Sequence, residues 1–421
     1  MVESKERSSM NPANEASSPG IRELESLGVR VKHVEKPAKE REAQQILAKA
    51  FREKLTVFPC GGGTALASGA LPETVDIVLD TTGMSRVLAF DSRNLNLAVL
   101  AGMTLEAIND FLGGQEKGVF LPLDPPMVQR ATIGGVYAAN TSGPSRLRYG
   151  TVRDQVLGVR GVDARGNEVG FGGKTVKNVS GYDLTKFFIG SAGSLCLITS
   201  ISLRIYPLPD SASVCELTLG KLEELEKFLS ALRTSVLVPS AVVVEPIGAA
   251  FRVLTGFEGH PQAVDRENKD LLALAGQFGG TGESRVGRKA MVQLLRTAVD
   301  PPGAGLDRLA LKIGVPIAQG SRTLAAVGKL AQECGLVAKT TLYAGNGVIL
   351  LYIRAQGDAV SRLINGVREL VRSSGGYTSP VHLHHTLLST WGSRVDSGLH
   401  QFVLKPIKEK LDPSGVFPPI L

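Results

Sequence analysis

The chain has little that would tie it to a metal cluster, a disulfide framework, a membrane or a nucleic acid. Its four cysteines (Cys60, Cys196, Cys215 and Cys334) are far apart and form no Cys-x-x-Cys pair. That spacing gives no support to a zinc ribbon, iron–sulfur ligation or thioredoxin chemistry, and it suits a reducing compartment. Aromatic residues are only 5% of the chain, with a single tryptophan, Trp391. The formal net charge is +7, yet the positive residues are dispersed, without a basic block or interleaved aromatics. A nucleic-acid footprint needs a concentrated stripe. A mildly basic surface suits the handling of phosphates and carboxylates. No run of about eighteen apolar residues is present, so no transmembrane segment is expected. The first residues, MVESKERSSMNPANEASSPG, have no apolar centre and do not read as a signal peptide. A cytoplasmic protein is the expectation.

What is present is enough core for two domains: 421 residues, 43% of them apolar. The 48 glycines are clustered rather than periodic, which excludes a collagen-like chain. Residues 1–20 read as a disordered tail, rich in Ser, Glu, Asn and Pro. The pattern predicts a helix over 38–54, a short strand over 55–58 and strands over 76–80, 86–91 and 96–101. A helix over 105–112 follows Thr104, a good N-cap. A helical turn at 133–140, a hairpin of 155–163 with 166–171 and a long strand at 195–206 complete the first unit. After residue 210 a weak internal duplication appears. Each copy reads β-α-β-β-α, close to a ferredoxin-like unit. The expected fold class is α+β, with a two-part domain over 21–207, a second domain of two ferredoxin-like units over 208–398, and a C-terminal segment, 399–421, returning towards the first.

The first chemical signal is PCGGGTALASG, directly after a strand. Consecutive glycines let the backbone approach a diphosphate, and successive N–H groups can point into one anion. No Lys-Ser/Thr pair follows, so this is not a Walker loop. The stretch after it is small and polar and does not open a long helix, so it is not a Rossmann fingerprint. By itself the loop reads equally as a tight turn without a ligand. A second glycine-rich stretch, from Pro122 to Leu197, contains TIGGVYAANTSG and KNVSGYDLTKFFIGSAGSL. Two such segments suggest one long ligand held along its length.

These motifs together, with RYG followed by RD, resemble the FAD-binding domain of the vanillyl-alcohol oxidase / p-cresol methylhydroxylase superfamily. Within it the chain is most similar to the FAD-binding subunit of glycolate oxidases. The resemblance covers residues 30–207 and fades afterwards. It implies FAD as cofactor. Gly61, Gly62, Gly63, Thr64 and Ala65 would cradle the pyrophosphate. Pro122 and Asp124 would line the adenine or flavin side. Thr132, Gly134 and Gly135 would run beside the isoalloxazine and ribityl chain, and Ser142, Gly143 and Tyr149 would complete that wall. Leu195 and Leu197 would border the adenine, and Lys174, Lys177 and Asn178 would form a girdle beneath. Asp183 reads equally as a simple N-cap, and Lys186 as a solvated helix residue. Covalent relatives attach the flavin to a histidine at the end of the phosphate loop; Thr64 stands there, which implies non-covalent FAD.

Oxidation of a 2-hydroxy acid needs a cation for the carboxylate and a base for the hydroxyl proton. His382, His384 and His385, in VHLHHT, are the candidates for catalysis. On a strand, His382 and His384 would share a face. Relatives that oxidise 2-hydroxy acids carry His-x-Gly-x-Gly-Asn, whose histidine helps hold a metal. Here the stretch is Tyr343, Ala344, Gly345, Asn346, Gly347 and Val348, so no metal is expected. The resemblance implies an FAD-dependent oxidoreductase working with a catalytic flavin subunit and an iron–sulfur subunit, peripheral to the inner membrane through those partners. A stand-alone oxidoreductase of an alcohol or sugar and a non-catalytic flavin scaffold remain open.

Overall fold

The structure, a computed structural model, describes residues 18–116, 118–173, 183–303, 309–355, 357–387, 391 and 400–420. Most of the tail expected at 1–20 lies outside these residues, as do Lys174, Lys177 and Asn178. The last two tail residues belong to a helix, α1 (Pro19–Ser26). Proline suits a first helical position because its missing N–H would be unpaired there anyway. Ile21 and Leu24 then bury their side chains one turn apart.

The N-terminal domain has two parts. In the first, β1 (Arg30–Glu35), α2 (Glu40–Glu53), β2 (Val57–Cys60) and β3 (Thr74–Asp80) follow α1. The strands form a parallel sheet in the order β1-β3-β2. Helix α2 buries Ala43, Leu47 and Ala50, and its first turn is held by Glu42, whose Oε2 accepts the Ala38 N–H at 2.8 Å. The second part contains β4 (Val87–Asp91), β5 (Asn96–Leu100), α3 (Leu105–Gly113), β6 (Val119–Phe120), α4 (Ile133–Ala139), α5 (Arg146–Tyr149), α6 (Val152–Gln155), β7 (Val156–Val162), β8 (Glu168–Gly172), β9 (Leu197–Arg204) and β10 (Tyr206–Pro207). Its antiparallel sheet runs β4-β5-β9-β7-β8. Thr104 caps α3 by accepting the Ala107 N–H at 3.2 Å. The expected hairpin is β7–β8, closed by Asp163, whose Oδ1 accepts from Asn167 N at 2.8 Å.

The cap contains β11 (Ser211–Leu219), α7 (Leu222–Thr234), β12 (Ala241–Ile247), β13 (Ala250–Gly259), α8 (Pro261–Gly276), β14 (Thr281–Val286), α9 (Arg288–Val299), β15 (Leu309–Gly314), α10 (Gly320–Glu333), β16 (Ala338–Tyr343), β17 (Val348–Ile353), α11 (Asp358–Ser373) and β18 (Tyr377–Leu383). One eight-stranded sheet runs β14-β11-β13-β12-β16-β17-β15-β18. Each half is a complete β-α-β-β-α-β unit, and the halves meet at β12–β16. The closing strand β14 and the helix α9 are not among the elements expected from the sequence, and β18 was considered only as a strand setting for VHLHHT. Strand β14 is exposed along its whole length, so no apolar alternation marks it.

One cap face packs on α7, α8, α10 and α11. Helix α11 buries Val360, Leu363, Ile364, Val367 and Val371 there, a single helical stripe. The other face looks towards the N-terminal domain and gathers Val243, Ala310, Tyr343, Val348 and Leu350 around α9. A last helix, α12 (Lys405–Leu411), leads the chain back. Val57 N–H donates to the Val416 carbonyl at 2.7 Å, and Val416 and Phe417 pack with Ala43 and Leu47. Asp412 fixes this turn by accepting the N–H groups of Val416 and Phe417, each at 2.8 Å, beside Lys408 at 2.6 Å. Among the described residues no helix is long and apolar enough to cross a membrane.

Candidate functional site

Strand β2 ends at Cys60, and the glycine loop follows beside a groove. Gly61, Gly62, Gly63, Thr64, Ala65, Thr132, Gly134, Gly135 and Leu197 all line that groove. Among the described residues, no hydrogen bond uses the backbone N–H of any residue from Gly61 to Ala65. Buried or half-buried N–H groups are normally paired. A run of unpaired donors is therefore a nest for an anion.

The loop is held from outside. Arg130 donates to the Gly62 carbonyl from Nε at 3.2 Å and from Nη2 at 3.1 Å. In a trans peptide the carbonyl and the following N–H point opposite ways, so this clamp turns the Gly63 N–H away from Arg130. Gly63 sits at φ +76°, which favours glycine. A Cβ on Gly62 would lie 1.7 Å from the Arg130 carbonyl, so its side faces the clamp rather than the groove. A Cβ on Gly20 would lie 2.1 Å from the Gly61 carbonyl, which shows how tightly α1 closes over the loop.

On the opposite wall, Thr132 caps α4 by accepting the Gly135 N–H at 3.3 Å. Gly134 lets α4 press onto the end of β5, since a Cβ there would meet Ala101 at 2.8 Å. Leu195 and Leu197 do not act together. Leu195 packs in the core around α3 and α4, while Leu197 packs with α2 and borders the groove. Asp183 caps a short turn, accepting Thr185 N at 3.2 Å. Lys186 is not solvated: it donates to the Val156 carbonyl at 3.2 Å and pairs with Asp183 at 3.0 Å.

Pro122, Asp124 and Tyr149 line a different cavity of about 670 Å³, between α3, the 121–128 loop and α9 of the cap. Tyr149 is turned that way by its hydrogen bond to Glu258 Oε2 at 2.9 Å. Asp124 is buried, which pushes its carboxyl up to about 6 despite the Ser145 N–H it accepts. Gly143 crosses directly over Asp124, where a Cβ would lie 1.8 Å from its carbonyl oxygen. Ser142 accepts from Arg146 Nη1 at 3.1 Å.

The three histidines separate. Strand β18 ends at Leu383, so His382 and His384 do not share a strand face. His382 is 1% exposed, its Nε2 is 3.4 Å from Glu23 Oε1, and its Nδ1 has no partner among the described residues. Burial, with Arg130 and His384 nearby, pulls its pKa down to about 3, while burial pushes Glu23 up. The imidazole is therefore neutral at pH 7. His384 pairs with Thr386 at 2.9 Å, and His385 begins a short turn. Glu23 also pairs with Arg130 at 3.1 Å, so one acid links cap, helix α1 and glycine loop.

Sequence reasoning missed Arg130, Glu23, Lys312 and Arg146. Lys312 stands on β15 opposite Leu350, on the cap face that holds Tyr343. Burial, then Arg146, lowers its pKa. The one available signal for Arg130 was a cation set between a proline loop and TIGG.

The groove fits the pyrophosphate of FAD: adjacent unpaired N–H donors line it and no charged side chain does, among the described residues. A family profile described as "FAD binding domain" matches residues 31–172. The D-lactate dehydrogenase of Archaeoglobus fulgidus is 37% identical over 191 residues, 45% of this chain and 42% of that protein. The glycolate oxidase subunit GlcD of Bacillus subtilis is 32% identical over 202 residues, 48% of this chain and 42% of that protein. The D-2-hydroxyglutarate dehydrogenase of Xanthomonas citri pv. viticola is 32% identical over 197 residues, 47% of this chain and 41% of that protein. Each match spans less than half of the relative's length. A solved structure of alkyldihydroxyacetonephosphate synthase superposes over 91% of this chain and 76% of that one, with a TM-score of 0.69 and 17% identity, and so shares the fold. Residues 31–172 are thus similar to FAD-binding domains, as the vanillyl-alcohol oxidase / p-cresol methylhydroxylase resemblance implied, and a cap of two ferredoxin-like units follows.

Proposed function

We propose that this chain is the FAD-binding subunit of a 2-hydroxy-acid dehydrogenase complex of the glycolate type. The observation that carries the reading is the nest of N–H groups from Gly61 to Ala65, unpaired among the described residues, clamped by Arg130 and closed over by α1. The hydroxy-acid class follows from relatives named as D-lactate, glycolate and D-2-hydroxyglutarate enzymes. FAD, when bound, supplies the hydride acceptor.

The chain's own residues then have distinct tasks. Gly61, Gly62, Gly63, Thr64 and Ala65 hold the diphosphate through the backbone. Thr132, Gly134, Gly135 and Leu197 shape the wall along the remaining cofactor. Glu23 and Arg130 keep the loop in shape. His382, held neutral, keeps the cap seated on α1. The flavin is not covalently bound: Thr64 is no match for a histidine attachment, and burial pushes the Cys60 thiol up to about 12, too high for a thiolate nucleophile. The proposed partners are a catalytic flavin subunit and an iron–sulfur subunit. The tail, the N-terminal domain to residue 207 and the cap to 398 are proposed as the domain limits.

Anaerobic titration of the purified flavin-loaded chain, with and without a catalytic flavin subunit, tests this. The reading expects negligible bleaching by glycolate or D-lactate alone and a gain on adding the partner. Strong turnover by the isolated chain would promote the stand-alone oxidoreductase. Acid precipitation should leave FAD, not FMN, in the supernatant.

A further inference from the structure

We propose that Lys312, Arg146 and the Tyr343 hydroxyl form a carboxylate-binding site that works without a metal ion. The proposal rests on the hydroxy-acid reading above and names the part of the site that would grip the substrate.

Strand register places the cap residues. Directly opposite residues of an antiparallel pair share a face, as do residues two apart on one strand. Tyr343 on β16 stands opposite Val348 on β17, and Lys312 on β15 stands opposite Leu350. Val348, Leu350 and Tyr343 share one buried cluster, on the face towards the N-terminal domain. Lys312 therefore projects from the same face. Helix α5 is jammed under the turn that follows Tyr343: a Cβ on Gly345 would lie 2.6 Å from Leu147 Cδ1. Arg146, the residue before Leu147, acts electrostatically on Lys312 and, after Tyr352, Asp124 and Asp300, on Tyr343.

Among the described residues, neither cation of this cluster is paired with an acid. Among the described residues Lys312 makes no hydrogen bond or ion pair, and the side chain of Arg146 donates only to Ser142. Among the described residues the Tyr343 hydroxyl is buried without a partner, in a residue 1% exposed. The nearby acids are committed elsewhere. Asp124 accepts the Ser145 N–H, and Asp300 accepts the Met127 N–H and pairs with Arg296 at 3.5 Å. Two half-buried cations that repel each other, beside an orphaned phenol, are costly unless an anion joins them. A carboxylate satisfies all three: each cation donates to it, and so does the phenol.

A metal does not fit here. The resemblance would put a metal-binding histidine where Tyr343 stands. Among the described residues no three His, Cys, Asp or Glu side chains come together as a ligand set. A protonated phenol is a poor ligand, and burial raises the pKa of Tyr343 further. Lys312 and Arg146 take over the task of holding the acid. The ligand class is the carboxylate of a small 2-hydroxy acid.

The test uses the flavin-loaded full-length protein and two probes: D-lactate, which can react, and oxalate, which cannot. Binding is read from perturbation of the flavin absorbance. Lys312→Met and Arg146→Met should each weaken oxalate binding by about tenfold or more, as loss of a hydrogen bond to a charged group predicts. Arg146→Lys should recover part of the loss, and Tyr343→Phe should weaken binding by a few-fold. EDTA should leave wild-type binding unchanged. FAD content, measured after heat release, should match wild type in every variant. Lys312→Gln replaces Lys312→Met if the latter does not fold. Wild-type affinity in both Met variants overturns the site, as does loss of binding on chelation, or a wild-type spectrum that oxalate and D-lactate both leave unmoved. If oxalate binds through these residues but no hydroxy acid ever bleaches the flavin, even with a partner subunit, the site stands and the functional reading falls.

Discussion

The glycine loop and the inner cap face handle anions with different materials. From Gly61 to Ala65 the donors are backbone N–H groups, and the side chains are reduced almost to nothing so that the chain can come close. On the cap face the donors are long side chains, brought together from β15, β16 and α5. The first arrangement is local: neighbours in sequence are neighbours in space. The second exists only after the sheet has formed and seated on the N-terminal domain. A backbone nest cannot be tuned by a single polar substitution, only broken by a side chain. A side-chain site can be weakened one donor at a time.

Gly62→Val should have the largest effect. The valine would collide with the Arg130 carbonyl, 1.7 Å from the Cβ position, and displace several donors together. Loss of two or three hydrogen bonds to a charged group at about 1.5–3 kcal/mol each predicts at least a hundredfold weaker FAD binding. Fluorescence recovery of released FAD measures it; affinity within a few-fold of wild type would show that the nest is not the pyrophosphate site.

Arg130→Met comes next. It leaves the glycines intact but frees the Gly62 carbonyl and strands Glu23. We expect about tenfold weaker FAD binding, with Arg130→Lys in between, because lysine cannot reach carbonyl and acid with a fork. An unchanged FAD dissociation rate in Arg130→Met would mean that the loop holds its shape unaided.

Asp124→Asn should act on stability rather than cofactor. The folded pKa of about 6 lies above the ordinary 3.8, so the folded state holds the proton more tightly than the unfolded one. The stabilisation is complete below pH 3.8 and is lost as pH rises through 6. Its range is about 3 kcal/mol for a shift of roughly two units. Urea unfolding between pH 4 and 7 should show wild type losing stability relative to Asp124→Asn over that window. Parallel curves would show that Asp124 is not buried as described.

The smallest effect is expected for Tyr343→Phe on folding. It removes a buried hydroxyl with no partner among the described residues, so stability should change by less than about 1 kcal/mol or rise. A clear fall in the urea midpoint would reveal a partner for the phenol and weaken the contrast between the two regions.

The same contrast explains what the sequence could tell. The glycine loop was legible because only glycine tolerates the close approach at Gly62 and the positive φ at Gly63. The duplicated cap was legible from apolar periodicity in helices such as α11 and in the fully buried strand β17. Strand β14 was not, because an exposed edge of Thr, Glu, Ser and Arg carries no alternation. The first two residues of helix α1 were read as tail because its opening proline follows a polar stretch, although Ile21 and Leu24 already had helical spacing. Lys312 and Arg146 were invisible as a pair, since nothing local tells a lysine in a strand that an arginine far along the chain lies beneath it. The partner of Tyr149 was hidden for the same reason: Glu258 belongs to the other domain.

The hydrogen bond from Val57 to Val416 has a consequence for biosynthesis. Strand β2 runs straight into the glycine loop, and its support comes from residues near the other end of this sequence, pinned by Asp412. A nascent chain emerging from the ribosome exposes the loop early but lacks that support until nearly all of the sequence has been made. The loop is therefore expected to gain its full support only after residues 412–417 have been made, and a chain interrupted within the cap would lack that support.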